Sequence, residues 1–306
     1  MRFDFKMESE NWLEMKKQEV KESTLAAYRL IIERYLWPYF GNPIDLDEGR
    51  IQDFVNEKMS EGLSGKTIKD ILTVLRMFLK YVGKKGFGVP EGFQVRYPRE
   101  KGVKELPVLT VKQECKLIDY LTGDLTHRNL GILICLHTGI RIGEACALRW
   151  DDIDLCNGRI RIEKTLSRLY ICEGGHGKTE LRFLAPKTRH SFRSVPMSGL
   201  LIEIIRERFK IMEGCYVLSG GEKPIEPRCY RNYYHKVMEM LGLPRMRFHG
   251  LRHSFATRCI ESNCDYKTVS EILGHSDIST TLNLYVHPSM EQKKRCIEKM
   301  LRWMEK

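Results

Sequence analysis

Residues 83–107, GKKGFGVPEGFQVRYPREKGVKELP, divide this chain. They hold five glycines, three prolines and a dense mixture of charges, and the hydrophobic periodicity stops there. Glycine loses the most backbone entropy on ordering, and proline has no N–H to give to a helix or a sheet. Such a stretch reads as an exposed linker, and the chain on either side must build its own core. The boundary is expected near residues 100–106. That gives one unit at 1–100 and a larger one at 101–306, both ordinary domain sizes.

The first unit reads as helical. Ser23-Thr24 is placed to cap a helix through Leu25, Tyr28, Ile31, Ile32 and Tyr35, expected to stop near Trp37-Pro38. A second helix covers Arg50–Met59 and is broken by Gly62 and Gly65. Ser64 caps a third, with Ile68, Ile71, Leu72, Leu75, Phe78, Leu79 and Val82 at helical spacing on one stripe.

The second unit is mixed. Thr110 and Gln113 have the spacing of a capping box. Helices are expected at Leu130–His137, Leu200–Met212, Tyr230–Leu241 and Leu251–Ile260, and Asn157-Gly158 marks a hairpin between two strand segments. SFRSVPM is a further strand candidate. The tail Met290–Lys306 places Ile297, Met300, Leu301 and Met304 on one helical face. The fold class is therefore mainly α with a small antiparallel sheet. Gly174-Gly-His-Gly-Lys-Thr179 imitates half a phosphate-binding loop. Cys172 stands where that loop needs its first glycine, and the segment lies among strands, so it reads as a mobile hairpin tip.

The 306 residues carry a formal net charge of +11, a surplus that suits nucleic acid as partner before a membrane surface. No stretch approaches the ~20 apolar residues of a spanning helix. The opening MRFDFKMESENWLEMKKQEV mixes acids and bases and is not a secretory leader, so a cytoplasmic, nucleoid-associated protein without membrane contact is expected. Ten cysteines lie between Cys115 and Cys296 with no C-x-x-C pair, which reads as reduced, buried thiols rather than disulfides or a metal site.

Four separated segments carry unusual polar residues. Thr138-Gly-Ile-Arg141-Ile-Gly-Glu144 sets an arginine and a glutamate three apart on one helix face. Lys187 precedes the SFRSVPM strand. His249-Gly-Leu-Arg252 opens a helix, where free N–H groups favour an anion. Leu273-Gly-His275 is followed ten residues later by Tyr285. Taken singly, these read as a surface ion pair, a solvated lysine, helix-end polarity and a core tyrosine.

In this order they resemble the boxes of the tyrosine recombinases, also called the phage integrase family. HGLRHSFAT, LGH, the downstream tyrosine and TGIRIGEACAL carry the match, and TLAAYRLIIERYLWPYFG resembles the family's core-binding domain. The long stretch between Lys164 and Lys187 is more similar to integrases of conjugative transposons than to the compact Xer form. The resemblance implies a two-domain clamp around duplex DNA, with a helical core-binding domain and a catalytic domain. It implies Tyr285 as a nucleophile that forms a 3′-phosphotyrosine, and Arg141 and Arg252 on the non-bridging oxygens. Lys187 would protonate the leaving 5′-oxygen. His249 would exchange a proton with the tyrosine, His275 would hydrogen-bond the phosphate, and Glu144 would orient the active-site helix. Guanidinium forks suit the charge of a phosphodiester transition state, and the cations replace a metal, so neither metal nor nucleotide cofactor is expected. Asn263 stands where the family often has glycine after its helix, and asparagine tolerates the left-handed conformation required there.

The expected partners are double-stranded DNA with paired recombination sites, further copies of the chain, as a tetramer on DNA, and accessory DNA-bending or excision factors. Integration and excision of a mobile element leads. Chromosomal inversion or dimer resolution of the Xer type, a type IB topoisomerase, and a catalytically silent DNA-binding regulator are the alternatives.

Overall fold

The structure, a computed structural model, describes residues 4–41, 46–90, 92–97, 107–173, 176–185, 192–209, 214–275, 277, 279 and 290–304. It divides into two compact units: Met1–Lys104 with Arg168–Glu180, and Glu105–Ser167 with Leu181–Lys306. The 168–180 segment therefore joins the first unit, which a single boundary near residue 100 does not anticipate.

The first unit is built from α1 (Phe5–Glu19), α2 (Glu22–Ile31), α3 (Trp37–Phe40), α4 (Glu48–Ser60) and α5 (Gly65–Lys84). Helix α1 begins when the Asp4 side chain accepts the Met7 N–H. Ser64 accepts the Thr67 N–H at 3.1 Å, and the stripe from Ile68 to Val82 is buried as its spacing requires. Trp12, Phe54 and Phe78 fill the core, with Trp12 stacked on Tyr28 at 5.4 Å. Each such side chain contributes ~1.5–3 kcal/mol by leaving water.

Two local expectations change here. Lys21, whose side chain does not cap the helix, stands at the start of α2 in place of Ser23-Thr24. The chain also does not stop at Trp37-Pro38. A π-helical turn at Ile32–Leu36 passes directly into α3, whose first turn contains Pro38. In the wider turn the Trp37 N–H reaches Ile32 O, and Pro38, which has no N–H to give, falls at the first turn of α3. From the 168–180 segment, Tyr170 donates its hydroxyl to the Glu33 carboxylate.

The second unit begins with α6 (Val111–Gly123), which carries the expected capping box at Thr110 and Gln113, and α7 (His127–Thr138). Then come α8 (Ile142–Ala147), α9 (Gly199–Arg208), α10 (Pro227–Met240), α11 (His249–Glu261), α12 (Tyr266–Leu273) and α13 (Met290–Met304). Helix α9 ends at Arg208, short of the expected Met212, and residues 210–213 lie outside the described set.

Strands β1 (Ile153–Asp154), β2 (Arg159–Ile162) and β5 (Arg193–Pro196) form an antiparallel sheet in the order β1-β2-β5. Gly158 takes φ 61° in the β1–β2 turn, as Asn157-Gly158 signals. That turn takes up Leu155 and Cys156 as well, because Asp154 captures the Asn157 N–H at 2.9 Å and ends the strand early. Strands β3 (Thr165–Glu173) and β4 (His176–Leu184) pair in a separate two-stranded sheet. His176 to Thr179, expected in a mobile hairpin tip, are instead the start of β4, and Gly174 and Gly175 lie outside the described set.

Helix α7 lies in the middle of this core, with Leu130 to Leu136 buried, and α11 packs along it. The cysteines divide. Cys135 and Cys146 are buried and their thiols are pushed up by desolvation, whereas Cys115, Cys156, Cys229 and Cys264 are exposed, which the expectation of buried thiols did not include.

Candidate active site

Gly139 ends α7 in the left-handed conformation, φ 66°, and a side chain there would strike Phe255 and Leu273 at 2.6 Å. The turn it allows delivers Arg141 to the start of α8. Arg141 is the residue before the helix rather than a partner on its face. Its N–H donates to Glu144 Oε2 at 2.8 Å and its Nη1 to Glu144 Oε1 at 2.9 Å. This is the glutamate half of a capping box: the Glu144 carboxylate accepts the N–H of the residue before the helix, and the guanidinium, which cannot accept, pairs with the same carboxylate.

Glu144 is 5% exposed and is also gripped by Arg193 of β5. Arg193 Nη1 lies 3.1 Å from Oε1, and Nη2 lies 2.9 Å from Oε2. Burial alone would raise the carboxyl pKa. The hydrogen bonds and charge of Arg193, with the charge of Arg141, outweigh it and hold Glu144 below the usual carboxylate range. A buried carboxylate is tolerable only when neutralised in this way. Sequence reasoning gave Arg193 no role. The signal was there: Glu144 carries two oxygens, and the one arginine assigned beside it was already committed to phosphate.

Helix α12 ends at the centre of the site. A helix leaves its last carbonyls without partners inside the helix, and three arginines take them here. Arg193 Nε donates to Ile272 O at 2.7 Å, Arg252 Nη2 to Leu273 O at 2.7 Å, and Arg141 Nη2 to Gly274 O at 3.2 Å. Arg252 also donates from Nη1 to Gly139 O at 2.8 Å, so it ties the end of α7 to the end of α12. Gly274 is left-handed, φ 66°, and the next residue is His275. The cations are well placed at the negative end of the helix dipole.

Arg252 is 2% exposed and lies one turn into α11, which begins at His249. The His249 ring stands edge-on to His253 at 4.7 Å. Desolvation, then the charges of His253, Arg252 and Arg141, pull His249 down to about 4, although one side of the residue faces solvent. His275 is also pulled down to about 4, by desolvation and then by Arg252, Arg141, His249 and Arg193. Both imidazoles are therefore neutral near pH 7, and each has one nitrogen able to accept a proton. His253 was not singled out from the sequence. It follows Arg252 directly, and its pKa is lowered by desolvation and by that arginine.

The structure thus brings together Arg141, Glu144, His249, Arg252 and His275 and adds Arg193 and His253. Lys187 and Tyr285 lie outside the described residues. With one carboxylate set against three guanidiniums, the cluster is suited to an anion of two or more charged oxygens.

The chain is similar to known proteins along most of its length. Residues 107–292 match the phage integrase family, and residues 5–59 match the phage integrase N-terminal SAM-like domain. A tyrosine recombinase XerC-like protein of Caldanaerobacter subterraneus subsp. tengcongensis is 30% identical over 315 residues, covering 94% of this chain and 80% of that protein. Tyrosine recombinase XerC of Xylella fastidiosa is 28% identical over 283 residues, covering 86% and 85%. Among solved structures, the Tn1549 transposon integrase in complex with circular intermediate DNA superposes with a TM-score of 0.75 at 23% identity, over 97% of this chain and 100% of that one. The lambda integrase bound to DNA gives 0.62 at 16% identity, over 95% of each chain. At these identities the structural likeness speaks to the fold alone. The family match and the Caldanaerobacter relative go further: this chain belongs to the phage integrase family and is a tyrosine recombinase, a site-specific DNA recombinase.

Proposed function

We propose that the chain binds duplex DNA at paired sites and cuts and rejoins it through Tyr285, in the integration and excision of a mobile element. The observation that carries the chemistry is the three-arginine arrangement at the end of α12, beside two neutral imidazoles. In this reading Arg141 and Arg252 hold the non-bridging oxygens of the scissile phosphate. Their charge is fixed before the substrate arrives, so little reorganisation accompanies the reaction. A free tyrosine hydroxyl titrates near ~10 and needs an acceptor. Neutral His249 is assigned that proton, His275 a hydrogen bond to the phosphate, and Lys187 protonation of the leaving 5′-oxygen. Glu144 and Arg193 keep Arg141 and the α12 carbonyls in place without touching DNA. The phosphotyrosine bond conserves the energy of the broken phosphodiester, so rejoining requires no nucleotide, and the cations take the place of a metal.

A DNA substrate nicked near the cleavage point tests this. It should trap the wild type covalently in excess EDTA without ATP, and Tyr285→Phe should bind it with near-native affinity and form no adduct. Trapping of Tyr285→Phe, or restoration by Mg²⁺ of a reaction that EDTA abolishes, rejects the assignment.

The stretch between Lys164 and Lys187, which holds β3 and β4, supports a mobile-element enzyme through its resemblance to integrases of conjugative transposons rather than to the compact Xer form. The sequence relatives are named XerC or XerC-like, which supports a second reading, a recombinase of the Xer type acting in chromosomal inversion or dimer resolution. Sequencing the DNA covalently captured by the protein in its host separates the two. Ends of one element joined to varied flanks support the first reading, and one fixed chromosomal site supports the second. Function on paired sites also calls for self-association. The apolar face of α13, with Ile297, Met300, Leu301 and Met304 each about half exposed or more, is the surface we assign to it.

A further inference from the structure

The far end of α11 carries a second feature, which the recombination chemistry does not use. The helix closes in a paired-bond turn: the Asn263 N–H donates to Ile260 O and the Cys264 N–H to Cys259 O, each at 3.0 Å, with Asn263 left-handed at φ 60°. A helix that ends this way brings the side chain three residues before its cap against the one two residues beyond it, and the usual occupants are apolar. Here both are cysteines, so two thiols stand where that apolar contact is usual. The two residues line one open cavity of about 260 Å³, together with Glu114, His137, Phe255 and Arg258. Cys264 is exposed and Cys259 is half-buried.

We propose that Cys259 and Cys264 form a peroxide-reactive dithiol that closes to an intramolecular disulfide across the end of α11. A disulfide needs its two Cα atoms roughly 4.4–6.8 Å apart. A main-chain hydrogen bond between the same two residues holds their backbones within that reach, so closure needs rotation of two side chains and no movement of the helix. The roles divide by exposure. Cys264 meets the oxidant: its sulfur attacks peroxide, an S–O bond forms as the O–O bond breaks, and the departing hydroxide leaves as water with the thiol proton. The half-buried Cys259, whose thiol is pushed up to about 11 by desolvation and its neighbour, resolves the sulfenic acid. An S–S bond forms, the S–O bond breaks, and a second water leaves with the Cys259 proton. The pair loses two electrons and two protons, and one peroxide becomes two waters.

The test uses the full chain, reduced and then exposed to hydrogen peroxide, with free thiols blocked by N-ethylmaleimide before digestion without reductant. The expected product is a peptide containing both cysteines, unlabelled and lighter by two hydrogens, that regains two maleimides after treatment with dithiothreitol. Cys259→Ser should leave Cys264 as a sulfenic acid that dimedone traps, and Cys264→Ser should leave Cys259 open to maleimide after the same exposure. Melting curves of both serine variants close to that of the wild type establish that they are folded. Cys264 over-oxidised or linked to a different cysteine, with Cys259 still alkylated, overturns the proposal. So does unchanged labelling of both thiols at peroxide levels that oxidise the other exposed cysteines.

Discussion

Arg193 shows how much one uncharted side chain can decide. Its guanidinium neutralises Glu144 with two hydrogen bonds and spends its Nε on Ile272 O, so a single residue fixes both the α8 cap and the end of α12. Arg193→Met leaves a buried carboxylate with Arg141 alone. Breaking a buried pair from one side costs about 3–5 kcal/mol, and urea unfolding should show a loss of that order. Arg193→Lys restores the charge but not the planar fork, and should recover part of the stability while strand cleavage stays impaired. Equal stability of Arg193→Met and the wild type contradicts the account. The histidines set a pH window. Their folded pKa values, about 4, lie below the ordinary value of 6.5. As pH falls from about 6.5 towards 4, the unfolded chain takes up protons that folded His249 and His275 refuse, so stability present at neutral pH is lost through that window. The melting temperature of the His249→Gln, His275→Gln double variant should fall less steeply with acid than that of the wild type. The difference should be modest, since neither ring is fully buried, and parallel slopes refute it.

Helix ends carry much of the design at the scale of the element. Ser64, Thr110, Ser198 and Asp265 each accept a backbone N–H three residues on, and all four are side chains that compete poorly inside helices and well at their starts. The end of α11 depends on Asn263, the one non-glycine residue with positive φ among the described residues. Asn263→Gly should change the melting temperature little, because glycine pays no steric penalty there. Asn263→Val should destabilise by about 1–2 kcal/mol, since a branched side chain meets the following carbonyl. Similar melting of the two variants is the outcome that excludes a left-handed turn at this position. The passage from α2 through a π turn into α3 works the other way: a proline that ends a regular helix is absorbed once the preceding turn is widened.

For the whole molecule, α13 is the open question that experiment can close. Ile297, Met300, Leu301 and Met304 are 58%, 51%, 49% and 67% exposed, so this face is not buried on the chain's own second unit. Removing residues from Met290 onward should leave the melting temperature and the affinity for a single half-site close to those of the full chain. Cooperative binding to two half-sites should be lost, because a short helix with an unburied stripe gains stability by packing on a neighbour. Gel shifts on one and two half-sites, with a melting curve for each form, measure both. A large loss of melting temperature with cooperativity intact rejects docking between copies.

The sequence alone determined what depends on neighbours along the chain. The stripe of α5, the capping box at Thr110 and the Asn157-Gly158 turn follow from residue spacing and backbone preference, the left-handed Asn263 follows from the family resemblance, and the short motifs holding Arg141, His249, Arg252 and His275 stood out because each is a polar interruption of a structural pattern. The tertiary structure alone decided what depends on residues far apart in the chain. That Arg193 answers Glu144 across 49 residues, that three arginines share three consecutive carbonyls of α12, and that residues 168–180 pack with the first unit cannot be read from local spacing. A local pattern states what a residue needs, a counter-charge for a buried carboxylate or a donor for a helix end. Which distant side chain supplies it is settled only when packing brings the two within hydrogen-bond reach.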